Sequence, residues 1–177
     1  LKNLDPPEKI WRGFRLGQLA LARGRFREAR AVWTEALKTA EKHGLRTWAY
    51  RIHGGLARME ISRQRFRSAL SFSQQAMNIA AREDACVYPY EALLWQGLAQ
   101  AGLEQWSDVD KTLSELETVC RKSSDFSHMR YYYYLKGVIC AAGNILDRAL
   151  EDFKRAAALI PAKSKLFNFS NNQAFFL

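Results

Sequence analysis

The chain has 177 residues, of which 48% are hydrophobic and 12% aromatic, so its apolar side chains suffice for one or two globular units. Prolines and glycines are few and β-branched residues never gather into alternating runs, which excludes a β-rich fold and predicts an all-α protein. The formal net charge is +9. Because no window approaches about 18 consecutive apolar residues, we exclude a membrane span, and because the three cysteines are odd in number and widely spaced, we expect reduced thiols in a cytoplasmic protein.

Amphipathic stripes predict four pairs of helices. In chain order the pairs cover residues 8–22 with 26–43, 46–62 with 66–83, 88–102 with 106–122, and 126–142 with 146–160. Asp5, followed by two prolines and Glu8, predicts the N-cap of the first helix, and Gly24 predicts its C-cap. Pro89 and Pro161 fall at predicted helix boundaries, where proline is tolerated.

The C-terminal segment resembles the beginning of another unit. Residues 168–177 are rich in aromatic and apolar side chains, and the chain opens on Leu rather than Met. We therefore interpret residues 1–177 as one repeat domain that is a fragment of a longer protein, with the units at about 8–43, 46–83, 88–122 and 126–160. We also expect self-association through this C-terminal end, because its apolar face would lack a covering helix.

The helix pairs repeat every 40 residues without an insertion or deletion. Four columns of equivalent positions carry this register: a turn aromatic or Leu, a small residue three positions later, a further apolar or small residue, and a small residue in the preceding helix. The columns are Phe26, Phe66, Trp106 and Leu146; Ala29, Ala69, Val109 and Ala149; Ala36, Ala76, Leu116 and Ala156; and Gly17, Ala57, Gly97 and Gly137. We expect the last column to lie where neighbouring pairs stack, because small residues permit close approach.

The first and last units carry the motif positions of a known family. They are Leu16, Gly17, Gly24, Phe26, Ala29, Trp33, Ala36 and Leu37 in the first unit, and Gly137, Ala149, Phe153, Ala156 and Pro161 in the last. The chain resembles the tetratricopeptide repeat family over residues 8–160, although its period exceeds the usual length of roughly 34 residues. In the middle units Ser73 and Leu113 replace the large aromatic of the second helix, and Glu60 and Gln100 replace a Tyr.

The resemblance implies a right-handed α-solenoid whose first helices line a concave groove. By analogy with the family, the groove-facing residues are Trp11, Phe14, Gln18, Arg51, Arg58, Ile61, Glu91, Leu94, Leu98, Tyr131, Tyr134 and Val138. Aromatic side chains beside two arginines suit a peptide with apolar anchors and an acidic group. The alternative is that these residues only pack between helices.

The resemblance points to a non-catalytic protein–protein interaction module. The alternative is a sensor or regulatory arm of a larger protein, since the lengthened repeats are similar to those of bacterial signal-transducing ATPases and transcription regulators. Flanking sequence with a nucleotide-binding loop or a DNA-binding helix-turn-helix would favour the second reading.

A second alternative rests on the uneven distribution of charge. Residues 1–80 contain 16 Lys and Arg side chains against 6 Asp and Glu, whereas residues 81–177 contain 11 against 12. Six arginines recur at the turns within the first two pairs, namely Arg23, Arg25, Arg27, Arg63, Arg65 and Arg67. This basic edge could bind nucleic acid, with strong salt dependence, or could simply be a solvated surface.

The remaining chemistry favours neither a metal site nor an enzyme. His43, His53 and His128 lie on different predicted helices and lack a second ligand three or four positions later, so we expect no metal and no cofactor. Cys86, Cys120 and Cys140 are widely spaced among apolar neighbours, which predicts reduced, buried thiols. The run of tyrosines at 131–134 covers every side of a helix, so part of it should be core and part surface.

Overall fold

The computed structural model describes residues 5–82 and 88–160, and over these residues the protein contains eight α-helices and no strand. The helices are α1 (Pro6–Ala22), α2 (Phe26–Lys42), α3 (Arg46–Ser62), α4 (Phe66–Ala80), α5 (Tyr90–Gly102), α6 (Trp106–Lys122), α7 (Met129–Ala142) and α8 (Leu146–Ala158). A short 3₁₀ helix, Phe126–His128, precedes α7, so the predicted helix from 126 begins with a tighter turn. The four predicted helix pairs are confirmed. Pro161, Cys86 and residues 168–177 lie outside the described residues.

Consecutive helices pack against each other along the whole described chain. Each pair is an antiparallel hairpin, α1 with α2 through α7 with α8, and the second helix of each pair also contacts the first helix of the next. In addition, α1 contacts α3, α3 contacts α5, and α5 contacts α7. The first helices therefore form a continuous layer, with the second helices packed beside it.

The turn inside each pair uses the same backbone device. At the first turn Gly24 has φ +70°, its N–H donates to the Leu21 carbonyl at 2.9 Å, and the Arg25 N–H donates to the Ala20 carbonyl at 2.8 Å. These two hydrogen bonds around a left-handed residue form a Schellman cap, which satisfies backbone carbonyls that have no partner at a helix end. Arg23 is the C-cap of α1, and Gly24, predicted as the C-cap, is the next residue; its left-handed conformation recurs at the equivalent residues Gln64, Glu104 and Asn144.

Among the eight described α-helices, α1 alone begins with a side-chain N-cap hydrogen bond. The Asp5 Oδ1 accepts a hydrogen bond from the Glu8 N–H at 2.9 Å, with prolines in the first turn, so the predicted N-cap is confirmed. Pro89 stands at the N-cap of α5, as predicted.

The small residues of the register lie at helix crossings, as expected, but with different partners. A Cβ at Gly17 would overlap the indole of Trp33, and one at Gly137 would lie 2.7 Å from Phe153, so these two glycines contact the second helix of their own pair. A Cβ at Gly97 would lie 2.5 Å from Leu135, which belongs to the next pair. The expectation of contacts between pairs therefore holds for Gly97, whereas at Gly17 and Gly137 a large aromatic of the same hairpin fills the space.

Two polar replacements in the middle units are buried with partners. Glu60 is fully buried, and its Oε1 accepts from Arg30 at 2.6 Å and from Arg63 at 3.4 Å. Gln100, at the equivalent position of the next unit, accepts from the Thr112 hydroxyl at 2.8 Å. Buried polar groups destabilise a fold unless they are paired, so each replacement depends on a partner supplied by a neighbouring helix.

Candidate functional site

Four of the predicted groove residues meet on the layer of first helices. Arg58 of α3 is half-buried and interacts electrostatically with the Glu91 carboxylate of α5 and the Tyr134 phenol of α7. The Tyr131 hydroxyl of α7 donates to Glu91 Oε1 at 2.9 Å. Polar groups from three helices therefore converge around Glu91.

A stack of aromatic rings lies next to this convergence. The centroid of the Tyr90 ring lies 4.1 Å from that of His128 and 5.1 Å from that of Tyr131, in stacked orientations. The Tyr88 ring also stacks on Tyr90, with 6.3 Å between the centroids. Arg130 closes the stack, with its guanidinium carbon 4.3 Å from the Tyr131 ring centroid and its Nη2 donating to the Tyr131 hydroxyl at 2.7 Å. Offset aromatic stacking and cation–π contacts of this kind hold rings in defined orientations.

The start of α3 is hydrogen-bonded to the backbone on either side of Tyr90 in the sequence. The Tyr50 hydroxyl donates to the Tyr88 carbonyl at 3.0 Å and accepts from the Ala92 N–H at 3.4 Å. Arg51 is exposed; its guanidinium lies 5.5 Å from the Trp48 ring centroid and interacts electrostatically with the Tyr90 phenol. We call the whole set the α3–α5–α7 surface; its members are Arg51, Arg58, Tyr88, Tyr90, Glu91, Arg130, Tyr131 and Tyr134.

Burial makes the phenols of this surface persistent hydrogen-bond donors. Burial raises the pKa of Tyr134 to about 12 and raises the pKa of Tyr131 well above its ordinary value, where the Glu91 carboxylate adds to the effect. Burial lowers the pKa of Arg58, while Glu91 and Tyr134 act in the opposite direction. The phenols therefore stay neutral, and the arginines of the surface surround a single carboxylate of the set, which favours anions.

The other predicted groove residues lie apart from this convergence or inside the core. Trp11 is exposed on α1, and Gln18 accepts a hydrogen bond from Arg15 on the same helix. Phe14 packs on Trp33 and Trp48, and its carbonyl accepts from the Trp33 indole N–H at 3.1 Å. Leu94 and Leu98 are buried, and Ile61 and Val138 pack against the same core cluster. For Phe14 and these four apolar residues, packing between helices describes the observed position.

Sequence reasoning missed three members of the α3–α5–α7 surface, Tyr88, Tyr90 and Arg130, and also His128, which stacks on Tyr90. The 40-residue register places Trp48, Tyr88 and His128 in one column and Tyr50, Tyr90 and Arg130 in another. Both columns mix residue types, so neither stands out as a repeated motif. All four tyrosines at 131–134 are half-buried and pack against the same core cluster, so the predicted division into core and surface is replaced by partial burial throughout.

The predicted basic edge divides into engaged and exposed arginines. The Arg63 guanidinium contacts the buried Glu60 and lies 5.6 Å from the Phe26 ring centroid, and Arg25 pairs with Glu28 at 3.5 Å. Phe26 and Phe66 both pack at helix contacts, the second against Gly102. Arg25 is itself exposed, and the other exposed arginines at the turns are Arg23, Arg27, Arg65 and Arg67.

A serine, a histidine and an aspartate meet at the turn before α7. The Ser123 Oγ lies 2.6 Å from His128 Nδ1, and Asp125 Oδ2 lies 3.8 Å from His128 Nε2. The same Ser123 Oγ accepts from the Asp125 N–H at 3.2 Å, and Asp125 accepts from the Ser127 N–H at 2.9 Å. These bonds join residues at most five positions apart and close the turn, which accounts for the cluster as a local capping motif.

The structure also gives the burial of two predicted thiols and the positions of the residue types that bind metals. Cys120 is buried, and burial raises its pKa to about 11, whereas Cys140 is only half-buried, contrary to prediction. Among residues 5–82 and 88–160, His, Cys, Asp and Glu side chains form no group of three that could hold a metal ion.

Comparison with known proteins assigns no family. No protein-family model matches the chain, and neither a curated protein nor a solved structure is significantly similar to it. Within the part of the chain that the structure describes, none of the helices combines the length and apolarity of a membrane span.

Proposed function

We propose that the protein is a non-catalytic interaction module, a tetratricopeptide-like right-handed α-solenoid that binds a peptide on the α3–α5–α7 surface. The observation that carries the proposal is the convergence of Arg58, Glu91, Tyr131 and Tyr134 from three first helices. In helical solenoids the layer of first helices is the usual binding surface, because stacking curves it inward.

The chemistry of the surface defines the peptide. Arg51, Arg58 and Arg130 outnumber Glu91, so an acidic side chain or a terminal carboxylate is the complementary charge. The exposed Tyr88 and the half-buried Tyr90 offer flat apolar area with few rotatable bonds, which suits aromatic or proline anchors. We expect an extended peptide with at least one carboxylate beside an apolar anchor.

The same surface is compatible with a regulatory arm of a larger protein, in which the bound segment would be an inhibitory or activating partner. The distinction concerns the protein as a whole, whereas the peptide chemistry is the same in both cases.

Selection from a random peptide library tests this function. The full chain is used as bait, and the selected peptides are measured by fluorescence anisotropy against the wild type and Arg51→Glu. Arg51 is exposed and stacked on Trp48, so its charge reversal changes the surface with little change in stability. Arg58 is less suitable, because it is half-buried beside Glu91 and its reversal would disturb helix packing.

We expect enriched peptides to carry Asp or Glu and to lose about tenfold or more in affinity with Arg51→Glu. The matched control is Arg67→Glu, an exposed arginine at the start of α4, which should leave binding unchanged. Peptides that bind both variants equally would contradict the proposal. Binding of a single-stranded oligonucleotide that is lost when Arg23, Arg27, Arg65 and Arg67 are replaced would instead favour the basic edge.

A further inference from the structure

The outer side of α1 exposes both apolar and basic residues. Leu16 and Leu19 have 56% and 46% of their surface exposed, and Lys9 and Arg12 are exposed beside them. We call these four residues the open α1 face. Trp11 and Arg15 border it, with the Arg15 guanidinium 6.0 Å from the Trp11 ring centroid.

The 40-residue register shows what normally covers this position. The equivalents of the open α1 face in α3 are Ala49, Ile52, Leu56 and Met59, with exposed fractions of 6%, 0%, 2% and 0%. The α3 helix has the same kinds of neighbours as α1 except that a preceding pair also packs on it, with α2 in direct contact. In α5, Ala92 and Ala99 take the places of Arg12 and Leu19 and are again buried. The open α1 face therefore occupies a position that a helix covers elsewhere in the molecule.

The charges on this face distinguish it from its equivalents. Lys9 and Arg12 stand where α3 has Ala49 and Ile52, so a purely apolar helix would bury two cations without partners, which is strongly unfavourable. Where a covering helix meets a charge inside the molecule, the opposite charge is supplied across the contact, as Arg30 of α2 does for Glu60 of α3 at 2.6 Å.

We propose that the open α1 face binds an acidic amphipathic helix of a partner protein. The helix would lie as α2 lies on α3, with apolar side chains on Leu16 and Leu19 and carboxylates facing Lys9 and Arg12. The apolar side of the bound helix would thus be recognised by the open α1 face, and the two cations would select for acidic partners.

A second copy of this chain fits the face less well. In a head-to-tail contact the outer side of α8 would take the covering position, and Leu146, Leu150 and Ala157 stand there at the register positions of Phe26, Arg30 and Leu37. All three are uncharged, so the contact would leave Lys9 and Arg12 unpaired.

A library of helical peptides tests the proposal. The peptides have the 17-residue length of α2, an apolar stripe held constant, and random residues beside the stripe. They are selected on the full chain at physiological salt, and the enriched sequences are measured by anisotropy against the wild type and the double variant Lys9→Glu with Arg12→Glu. Both side chains are exposed, so the variant should fold.

We expect selection on the wild type to enrich Asp and Glu, and we expect those peptides to bind the double variant about tenfold or more weakly. Selection on the double variant should enrich Lys and Arg instead. The matched control, Arg148→Glu with Lys154→Glu on exposed positions of α8, should bind like the wild type.

Three results would overturn the proposal. The first is enrichment without preference for carboxylates, or binding that ignores the charge reversal. The second is binding to vesicles of about equal parts phosphatidylcholine and phosphatidylserine that is lost in the double variant while no helical peptide is enriched, which would assign the face to an anionic membrane. The third is a concentration-dependent dimer in sedimentation that Leu16→Asp abolishes, which would assign it to a second copy. Arg51→Glu leaves this face intact, so failure here is distinguishable from failure of the proposed peptide-binding function.

Discussion

The first and second helix pairs share one backbone arrangement, but they fill the crossing between their two helices differently. The first pair combines a glycine with a tryptophan, whereas the second combines two small residues. In the first pair Trp33 is fully buried and fills the space above Gly17, and it also approaches Gly55 of the next pair. In the second pair the equivalents are Ser73 and Ala57, both fully buried. The register therefore determines where helices cross, whereas the volume at each crossing is divided differently between the two positions.

The largest effect should come from removing the large member of the first pair. Trp33→Ala leaves a cavity between α1, α2 and α3, and we expect it to lower the free energy of unfolding by about 3 to 5 kcal/mol. Ser73→Ala at the equivalent position removes only one hydroxyl, which donates to the Leu70 carbonyl at 2.9 Å, and should cost about 1 kcal/mol or less. Chemical denaturation of both variants measures the difference, and equal losses would contradict the division of volume.

A smaller loss of unfolding free energy should follow from breaking the ion pair between Arg30 of the first pair and Glu60 of the second. Arg30→Ala removes the closer of the two guanidinium groups on the buried Glu60, and Oε2 of that carboxylate already has no hydrogen-bond partner among the described residues. We expect a loss of about 1 to 3 kcal/mol in unfolding free energy, since Arg63 remains and water can enter from the exposed side of Arg30.

Two further variants separate the ion pair from general effects. Adding Glu60→Gln to Arg30→Ala should restore part of the loss, because Gln100 fills the equivalent position in the third pair without a charge. Arg27→Ala, an exposed change on the same helix, should stay within about 0.5 kcal/mol of the wild type. Additive losses in the double variant would show that Glu60 does not depend on Arg30.

The helices, their turns and the crossing positions could be predicted because each is signalled by residues that repeat every 40 positions. The partners at the crossings could not. A small residue such as Gly17 indicates close approach but not whether its own pair or the next supplies the neighbour. The engagement of Arg63 by Glu60 likewise depends on burial by α2, which the local sequence does not reveal.

The candidate surface was predictable to a similar depth. Arg58, Glu91, Tyr131 and Tyr134 follow from the family-like register of the first helices. The ring stack involving Tyr90 and His128 could not be foreseen, because it depends on how the starts of α5 and α7 lie together.

The turns within the first two pairs differ in backbone strain, so a substitution at the turn of the second pair should stabilise the protein. Gly24 adopts φ +70° without strain, whereas Gln64 adopts φ +56° with a side chain that disfavours this region. Gln64→Gly should therefore stabilise the protein by about 0.5 to 1 kcal/mol, and Gly24→Ala should destabilise it by about 1 kcal/mol. Thermal or chemical unfolding measures both, with Gln64→Ala as the control that keeps a Cβ. No gain from Gln64→Gly would mean that the Gln64 side chain compensates the strain.

The smallest effect concerns pH and again separates the two pairs, because position 13 of the first is Gly and the equivalent His53 of the second is buried. Burial lowers the pKa of His53 below its ordinary value of 6.5, and its Nδ1 has no hydrogen-bond partner among the described residues. The unfolded chain then binds a proton more readily than the folded one below that pH, so the free energy of unfolding should be constant near neutrality and decrease as pH falls through 6.5.

His128, whose pKa burial also lowers, contributes in the same direction, so His53→Gln should reduce the pH slope without removing it. Denaturation curves between neutrality and mild acid decide the matter, and an unchanged slope in His53→Gln would show that the imidazole titrates alike in the folded and unfolded chains.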